Sequence, residues 1–318
     1  MTIVEGDNIR TGVTAILPHA GNLFQEKVPG AVFVGNAFGK LAGSTQVQEL
    51  GTIETPIVLT NTLSVGTAVD AVVRWTLAQP GNERVRSVNA LVGETNDGTL
   101  NDIRGLHVTR EHVTAAITSA HGGAVDEGAV GAGTGTIAFG WKGGIGTSSR
   151  VVRQGDDTWT IGVLVQTNYG GKLVISAVPV WKTLTPDNRA DDVAALGSCM
   201  IVVATDAPVD ARDLRRLAAR AIYALARTGS TYSNGSGDFA IAFSTHASLR
   251  VTDATLPQSR MILPTDSVSG LFEAVLDATE EAVDNSLLKA TDVTGNGRTI
   301  RAIPIEPLRT LLESRARQ

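Results

Sequence analysis

Residues 199–204 read Cys-Met-Ile-Val-Val-Ala, an unbroken apolar run directly after Gly197-Ser198. A strand that is apolar on both faces must be covered on both faces, so its sheet has to lie inside a layered molecule. Polar, turn-rich sequence precedes it: residues 182–196 carry Thr183, Thr185, Pro186, Asp187, Asn188, Arg189, Asp191 and Asp192 and read as a linker ending at Gly197-Ser198.

The rest of the pattern agrees with layers. Residues 14–17, 31–34, 57–59 and 90–92 are short apolar runs bounded by turn residues, and residues 239–243 alternate as a strand does. Residues 158–166 and 172–181 read as two strands joined by Thr167-Asn168-Tyr169-Gly170-Gly171, a hairpin with Asn168 near its turn. Val65, Ala68, Val69, Val72 and Val73 recur at helical spacing, with Ser64 as N-cap and Pro80-Gly81 as the stop. Asp210 and Gly229 bracket a second helix with an apolar stripe from Leu214 to Leu225 and Arg212, Arg216 and Arg220 on its other face. A long helix is predicted over 268–288, and a short one after Pro307. Strands and helices come in blocks rather than in strict βαβ units, which favours stacked sheets covered by helices.

Composition narrows the function classes. A net charge of −5 lacks the basic excess of an electrostatic nucleic-acid binder. With one cysteine, Cys199, the chain can form neither an internal disulfide nor a cysteine-rich zinc site. The start of the chain lacks the pattern of a secretory signal, and no apolar stretch is long enough to span a membrane, so a cytoplasmic protein is expected. Few aromatics stand against 34 glycines, which points to tight turns rather than stacking platforms.

Several motifs fall short of familiar sites. Gly131-Ala132-Gly133-Thr134-Gly135 has the wrong spacing for a dinucleotide loop and no βαβ frame. Gly35-Asn36-Ala37-Phe38-Gly39-Lys40 is one residue short of a phosphate loop. The five histidines offer no metal-ligand spacing, and no G-x-S-x-G surrounds a serine, so neither a metal nor an organic cofactor is expected. From the residues alone, Gly197-Ser198 could equally be a loop entering a strand, Asn168 a turn residue, and Ser236 and Asp238 loop residues.

The segment Ser198-Cys199-Met200-Ile201-Val202-Val203-Ala204-Thr205-Asp206-Ala207-Pro208 resembles the start of the β-chain in the DmpA-type aminopeptidases, which include the β-peptidyl aminopeptidases. Thr11-Gly12-Val13-Thr14, Gly51-Thr52-Ile53-Glu54-Thr55-Pro56-Ile57, Lys142-Gly143-Gly144-Ile145-Gly146-Thr147 and Val165-Gln166-Thr167-Asn168-Tyr169-Gly170 match in order along nearly the whole chain. The resemblance implies an α+β fold, an αββα four-layer sandwich of the N-terminal-nucleophile kind. It implies self-cleavage between Gly197 and Ser198 into an α-chain, 1–197, and a β-chain, 198–318, of one sandwich domain. It further implies a homo-oligomer of such αβ units, with a tetramer favoured.

The resemblance also assigns roles. Ser198 becomes both nucleophile and new N-terminus, and the freed α-amine, with an ordinary pKa near 7.7–8.0, is its base. Ser236 and Asp238 match the serine and carboxylate that assist it, with Asp where the family also uses Glu. Asn168 matches the oxyanion-hole amide, an uncharged donor suited to an alkoxide that exists only in the transition state. Glu94 falls where the family contacts the substrate's ammonium, and Asn96 stands where its members carry a tyrosine that helps build the site. The expected substrate is a short peptide, amide or ester with a free, small N-terminal residue. Two rivals share the frame: an ornithine-acetyltransferase type of enzyme, which uses threonine as nucleophile, and a non-catalytic peptide binder.

Overall fold

The computed structural model describes residues 1–187, 197–252 and 257–316, so residues 188–196 of the expected linker lie outside the described residues. In chain order the principal elements are β1 (Thr14–Ile16), β2 (Val28–Ala37), β3 (Leu41–Ala42), β4 (Thr52–Ile53), β5 (Ile57–Asn61), α1 (Val65–Leu77), β6 (Leu91–Thr95) and α2 (Arg110–Thr118). They continue with β7 (Ile145–Gln154), β8 (Asp157–Asn168), β9 (Ser198–Thr205), α3 (Ala211–Thr228), β10 (Gly237–Ser244), α4 (Ser269–Leu288) and α5 (Ile305–Ala316).

Among the described residues the larger sheet has six strands in the order β7-β8-β9-β10-β2-β4, and the smaller has four in the order β1-β5-β6-β3. Three apolar clusters show how they stack. Cys199, Ile201 and Val203 of β9 face Leu214, Leu217 and Ala221 of α3 and Val275, Ala278 and Ala282 of α4. Their alternates, Met200 and Val202, meet Leu59 of β5 and Leu91 of β6 in the space between the sheets. Val58 and Val92, on the far side of the smaller sheet, cover Ala68 and Val72 of α1 and Val113 and Ile117 of α2. The layers therefore run α, β, β, α, as expected. β9 is buried on both faces because a helix layer covers one and a second sheet the other; each fully buried Leu or Ile stabilises by about 1.5–3 kcal/mol.

α3 forms where its capping residues lie: Asp210 accepts from the Asp213 N–H (3.0 Å), and Gly229 takes the left-handed turn at φ 98°. Three expectations need correction, and one strand was not read. Residues 172–181 do not form the second strand of a hairpin, because β7 and β9 already occupy both edges of β8. The N–H groups of Lys172 and Val174 go instead to the Gly229 and Thr228 carbonyls at the end of α3, and the chain turns back at Ser176 and Ala177, both at positive φ. β7 was not anticipated at all. Ser64 does not cap α1 with its side chain; Asn61 accepts from the Ser64 N–H (3.0 Å), one short turn earlier. α5 starts at Ile305, with Pro307 inside its first turn, where a missing N–H goes unmissed.

Candidate active site

Ser198 opens β9 at the centre of the larger sheet. It lies directly across from Asn168, the last residue of antiparallel β8, and beside Gly237, the first residue of parallel β10. Directly opposed residues share a face with Cβ atoms about 4.5–5.5 Å apart, so the Asn168 and Ser198 side chains are neighbours. The alternation of β9 turns Ser198, like Met200, toward the inter-sheet space and Cys199 toward the helices. Burial, with Asp238 adding to it, pushes the Cys199 thiol well above its usual range, so Cys199 is no competing nucleophile.

The Ser198 hydroxyl donates to the Gly197 carbonyl oxygen at 2.6 Å. The Gly237 N–H reaches both the Ser198 Oγ (3.3 Å) and the Gly197 oxygen (3.2 Å). A serine oxygen thus sits beside the carbonyl of its own preceding peptide bond, and a backbone donor already bonds that carbonyl. Behind it, the Ser236 hydroxyl donates to Asp238 Oδ1 at 2.9 Å. Asp238 is fully buried, and desolvation raises its pKa to about 6, with the Ser236 hydroxyl and the Cys199 N–H pulling the other way.

Asn168 is buried, and its Oδ1 accepts from the Ile137 N–H at 3.0 Å. That bond fixes which end of the amide is the acceptor and leaves the NH2 as the donor end of a residue that stands opposite Ser198. Glu94, at the end of β6, is 3% exposed and accepts from the Lys40 N–H (3.0 Å) and, more loosely, from Lys40 Nζ (3.4 Å). A short bridge ties it to the serine cluster: the Phe38 N–H donates to the Ser236 carbonyl (3.1 Å), and Gly39 packs so closely that a Cβ would lie 2.6 Å from Glu94 Oε1. Asn96 is half-buried and bonds the Gly98 N–H (2.9 Å), which ties it into a local turn rather than to the serine cluster.

The sequence reading missed the backbone donors of Gly237 and Ile137, which no side chain advertises, although Ser236-Gly237-Asp238 was in view. Among the described residues no group of three or more His, Cys, Asp or Glu is placed to hold a metal ion, and no helix is long and apolar enough to cross a membrane.

The model of peptidase family S58 matches residues 1–300. The chain belongs to that family. It is 41% identical to the β-peptidyl aminopeptidase BapA of Sphingosinicella microcystinivorans, over 96% of this chain and 80% of that one. The solved L-aminopeptidase D-Ala-esterase/amidase of Ochrobactrum anthropi, described as a variant of the Ntn-hydrolase fold, superposes with a TM-score of 0.93 at 35% identity, covering 99% of this chain and 91% of that one. The β-aminopeptidase of a Burkholderia species gives 0.88 at 37% identity, covering 99% and 89%. The S58 chain described here is accordingly an aminopeptidase with the N-terminal-nucleophile sandwich.

Proposed function

We propose that this S58 chain cuts itself between Gly197 and Ser198 and that Ser198, freed as a new N-terminus, is the nucleophile of the mature enzyme. The observation that carries the reading is the Ser198 oxygen held between the Gly197 carbonyl and the Gly237 N–H at the mouth of a central strand. In the first reaction Ser198 Oγ attacks the Gly197 carbonyl carbon, and the C–N bond breaks as its nitrogen takes up the hydroxyl proton. Water then hydrolyses the resulting ester, leaving a Gly197 carboxylate and a free Ser198 amine.

In the second reaction that amine accepts the Oγ proton as the oxygen attacks the substrate carbonyl. The Asn168 NH2 and the Gly237 N–H receive the developing negative charge. The leaving amine takes a proton, and water releases the acyl group. Ser236 orients the proton path, and Asp238 holds Ser236. Glu94 pairs with the substrate's ammonium, displacing the long contact from Lys40 Nζ, and Asn96 lines the wall beyond it. The substrates are short peptides, amides or esters with a free, small first residue; the relatives' names span L-, D- and β-aminoacyl groups. Oligomers of αβ units, a tetramer favoured, and a cytoplasmic setting complete the reading; the single, buried Cys199 suits a reducing compartment.

The test is processing together with amine dependence. Purified wild type should give bands of about 21 and about 13 kDa, the 33.2 kDa chain divided by residue number, with the smaller starting Ser-Cys-Met. It should hydrolyse an aminoacyl p-nitroanilide but not the N-acetylated form, and Ser198→Ala should stay whole and inert. Full activity from an uncut chain would sink the mechanism.

A further inference from the structure

Lys142 heads the large side chains that are wholly shut from solvent, at 0% exposure, and the reaction above makes no use of it. An ammonium taken out of water is costly unless its hydrogens and its charge are both met. Here both are. Its Nζ donates to the carbonyls of Gly133 (2.9 Å), Thr136 (2.9 Å) and Gly143 (2.6 Å). Three acceptors call for three N–H groups, which the ammonium has and the neutral amine lacks. The countercharge is Asp97, buried nearby and held by the Asn101 side-chain amide (3.0 Å) and the Thr11 hydroxyl. Burial draws the lysine down and the carboxyl up from their ordinary values, and each opposes the shift of the other.

What this clamp holds is the support of Asn168. Ile137–Ala138 and Trp141–Lys142 form a two-stranded ribbon in which Lys142 pairs with Ile137, and the Gly143 N–H closes it on the Thr136 carbonyl at 3.2 Å. Two of the three clamped carbonyls, Thr136 and Gly143, flank that pair. The third, Gly133, anchors the ribbon to the preceding short 3-10 turn, Gly131–Gly133. The Ile137 N–H, projecting from the clamped ribbon, holds Asn168 Oδ1.

We propose that Lys142 is the positioning residue of the oxyanion hole: its ammonium gathers three loop carbonyls and thereby fixes the Ile137 N–H that aims the Asn168 amide at the carbonyl attacked by Ser198. This rests on the reading of Asn168 as the oxyanion donor. Lys142 touches neither substrate nor nucleophile. It acts by holding a donor in place, and a donor displaced by about 1 Å loses much of its effect.

The experiment compares Asn168→Ala, Lys142→Met and the double variant on one aminoacyl p-nitroanilide, with self-cleavage followed on gels of freshly made chains. Lys142→Met should lower kcat about 10²-fold while KM moves less than about threefold, matching the typical loss of one oxyanion donor. In the Asn168→Ala background the same change should cost less than about threefold, because the donor it positions is already gone. Lys142→Gln, which keeps an NH2, should recover part of kcat, and self-cleavage should follow the same order. Losses that multiply in the double variant, or an unaltered kcat in a folded Lys142→Met enzyme, overturn the proposal. So does loss of the cooperative thermal transition in both lysine variants, which would assign Lys142 to folding alone. An unaltered kcat in Asn168→Ala would instead strike the reading of Asn168, a separate result.

Discussion

Asp238 brings two carboxylate oxygens into a buried site, and Oδ2 has no hydrogen-bond partner while Oδ1 takes the Ser236 hydroxyl. An ionised Asp238 can only accept, so Ser236 must donate to it and keeps its lone pairs to accept from a donor in the proposed proton path, such as the Ser198 α-amine. A protonated Asp238 can donate instead and turn the hydroxyl round. With desolvation raising this pKa to about 6, kcat/KM should show a second break there, steepening the fall that the α-amine already causes by about a further tenfold per pH unit. Asp238→Asn should lose this inflection while keeping the one due to the α-amine at higher pH; an inflection near pH 6 that survives in the variant would exonerate Asp238. Stability should run the opposite way. The folded pKa stands above the usual 3.8, so the group's stabilisation is complete below about pH 4 and is lost as the pH rises through 6, on the order of 3 kcal/mol. Thermal melts of wild type and Asp238→Asn should therefore converge in acid and separate in favour of the variant near pH 8. Ser236 and Asp238 were reached through the family resemblance; the residues alone left them as loop residues. The sequence could not show that Oδ2 is unpartnered, because burial belongs to the layers above and not to the loop itself.

The strand that carries Ser198 was the most legible element, and the reason is local. Residues 199–204 are apolar on both faces, the pattern typical of a covered central strand. α3 was equally readable, since Asp210 and Gly229 mark its ends with their own chemistry. β7 was not. Its outer half alternates exposed and half-buried residues around Ser148, Ser149, Arg150 and Arg153, and its partner strand decides its conformation more than its own side chains do. The hairpin assigned to 158–181 failed for a related reason: apolar content announces burial, and only the neighbours decide whether burial comes by sheet pairing or by packing against a helix end. β10 holds the position where backbone geometry matters most to the site. A Cβ at Gly237 would fall 2.3 Å from the Phe38 carbonyl oxygen, which is backbone and cannot turn aside. Gly237→Ala should therefore displace the N–H that bonds both the Ser198 oxygen and the Gly197 carbonyl. We expect slower self-cleavage and a kcat lower by about 10², with an overpacking cost of about 1–3 kcal/mol in chemical denaturation. Normal cleavage in a variant that has lost this stability would remove the Gly237 N–H from the mechanism.

At the scale of the whole molecule, the proposed cut divides the sequence without dividing the fold. β2, β4, β7 and β8 come from before residue 198 and β9 and β10 from after it, yet all six belong to one sheet. β9 pairs with β8 from Ser198–Asn168 to Thr205–Ile161, and β10 pairs with β2 through residues 237–243. α3 and α4 close the same core over strands of both pieces. The composition of either piece alone gives no hint of this interleaving; it became legible only through motifs that match along the entire chain. An interface made of sheet pairing plus a shared apolar core is of the obligate kind, and the clusters on both faces of the larger sheet draw residues from both pieces. Cut wild type and uncut Ser198→Ala should therefore elute together. Light scattering should give about 130 kDa for both, four copies of the 33.2 kDa unit. Each should melt in one cooperative step. Refolding from denaturant should tell them apart: the Ser198→Ala chain recovers its fold in a unimolecular step, whereas the cut pieces must first meet, so their recovery should slow as protein concentration falls. Pieces that separate on the column without denaturant would show that the strands before and after residue 198 do not hold one another.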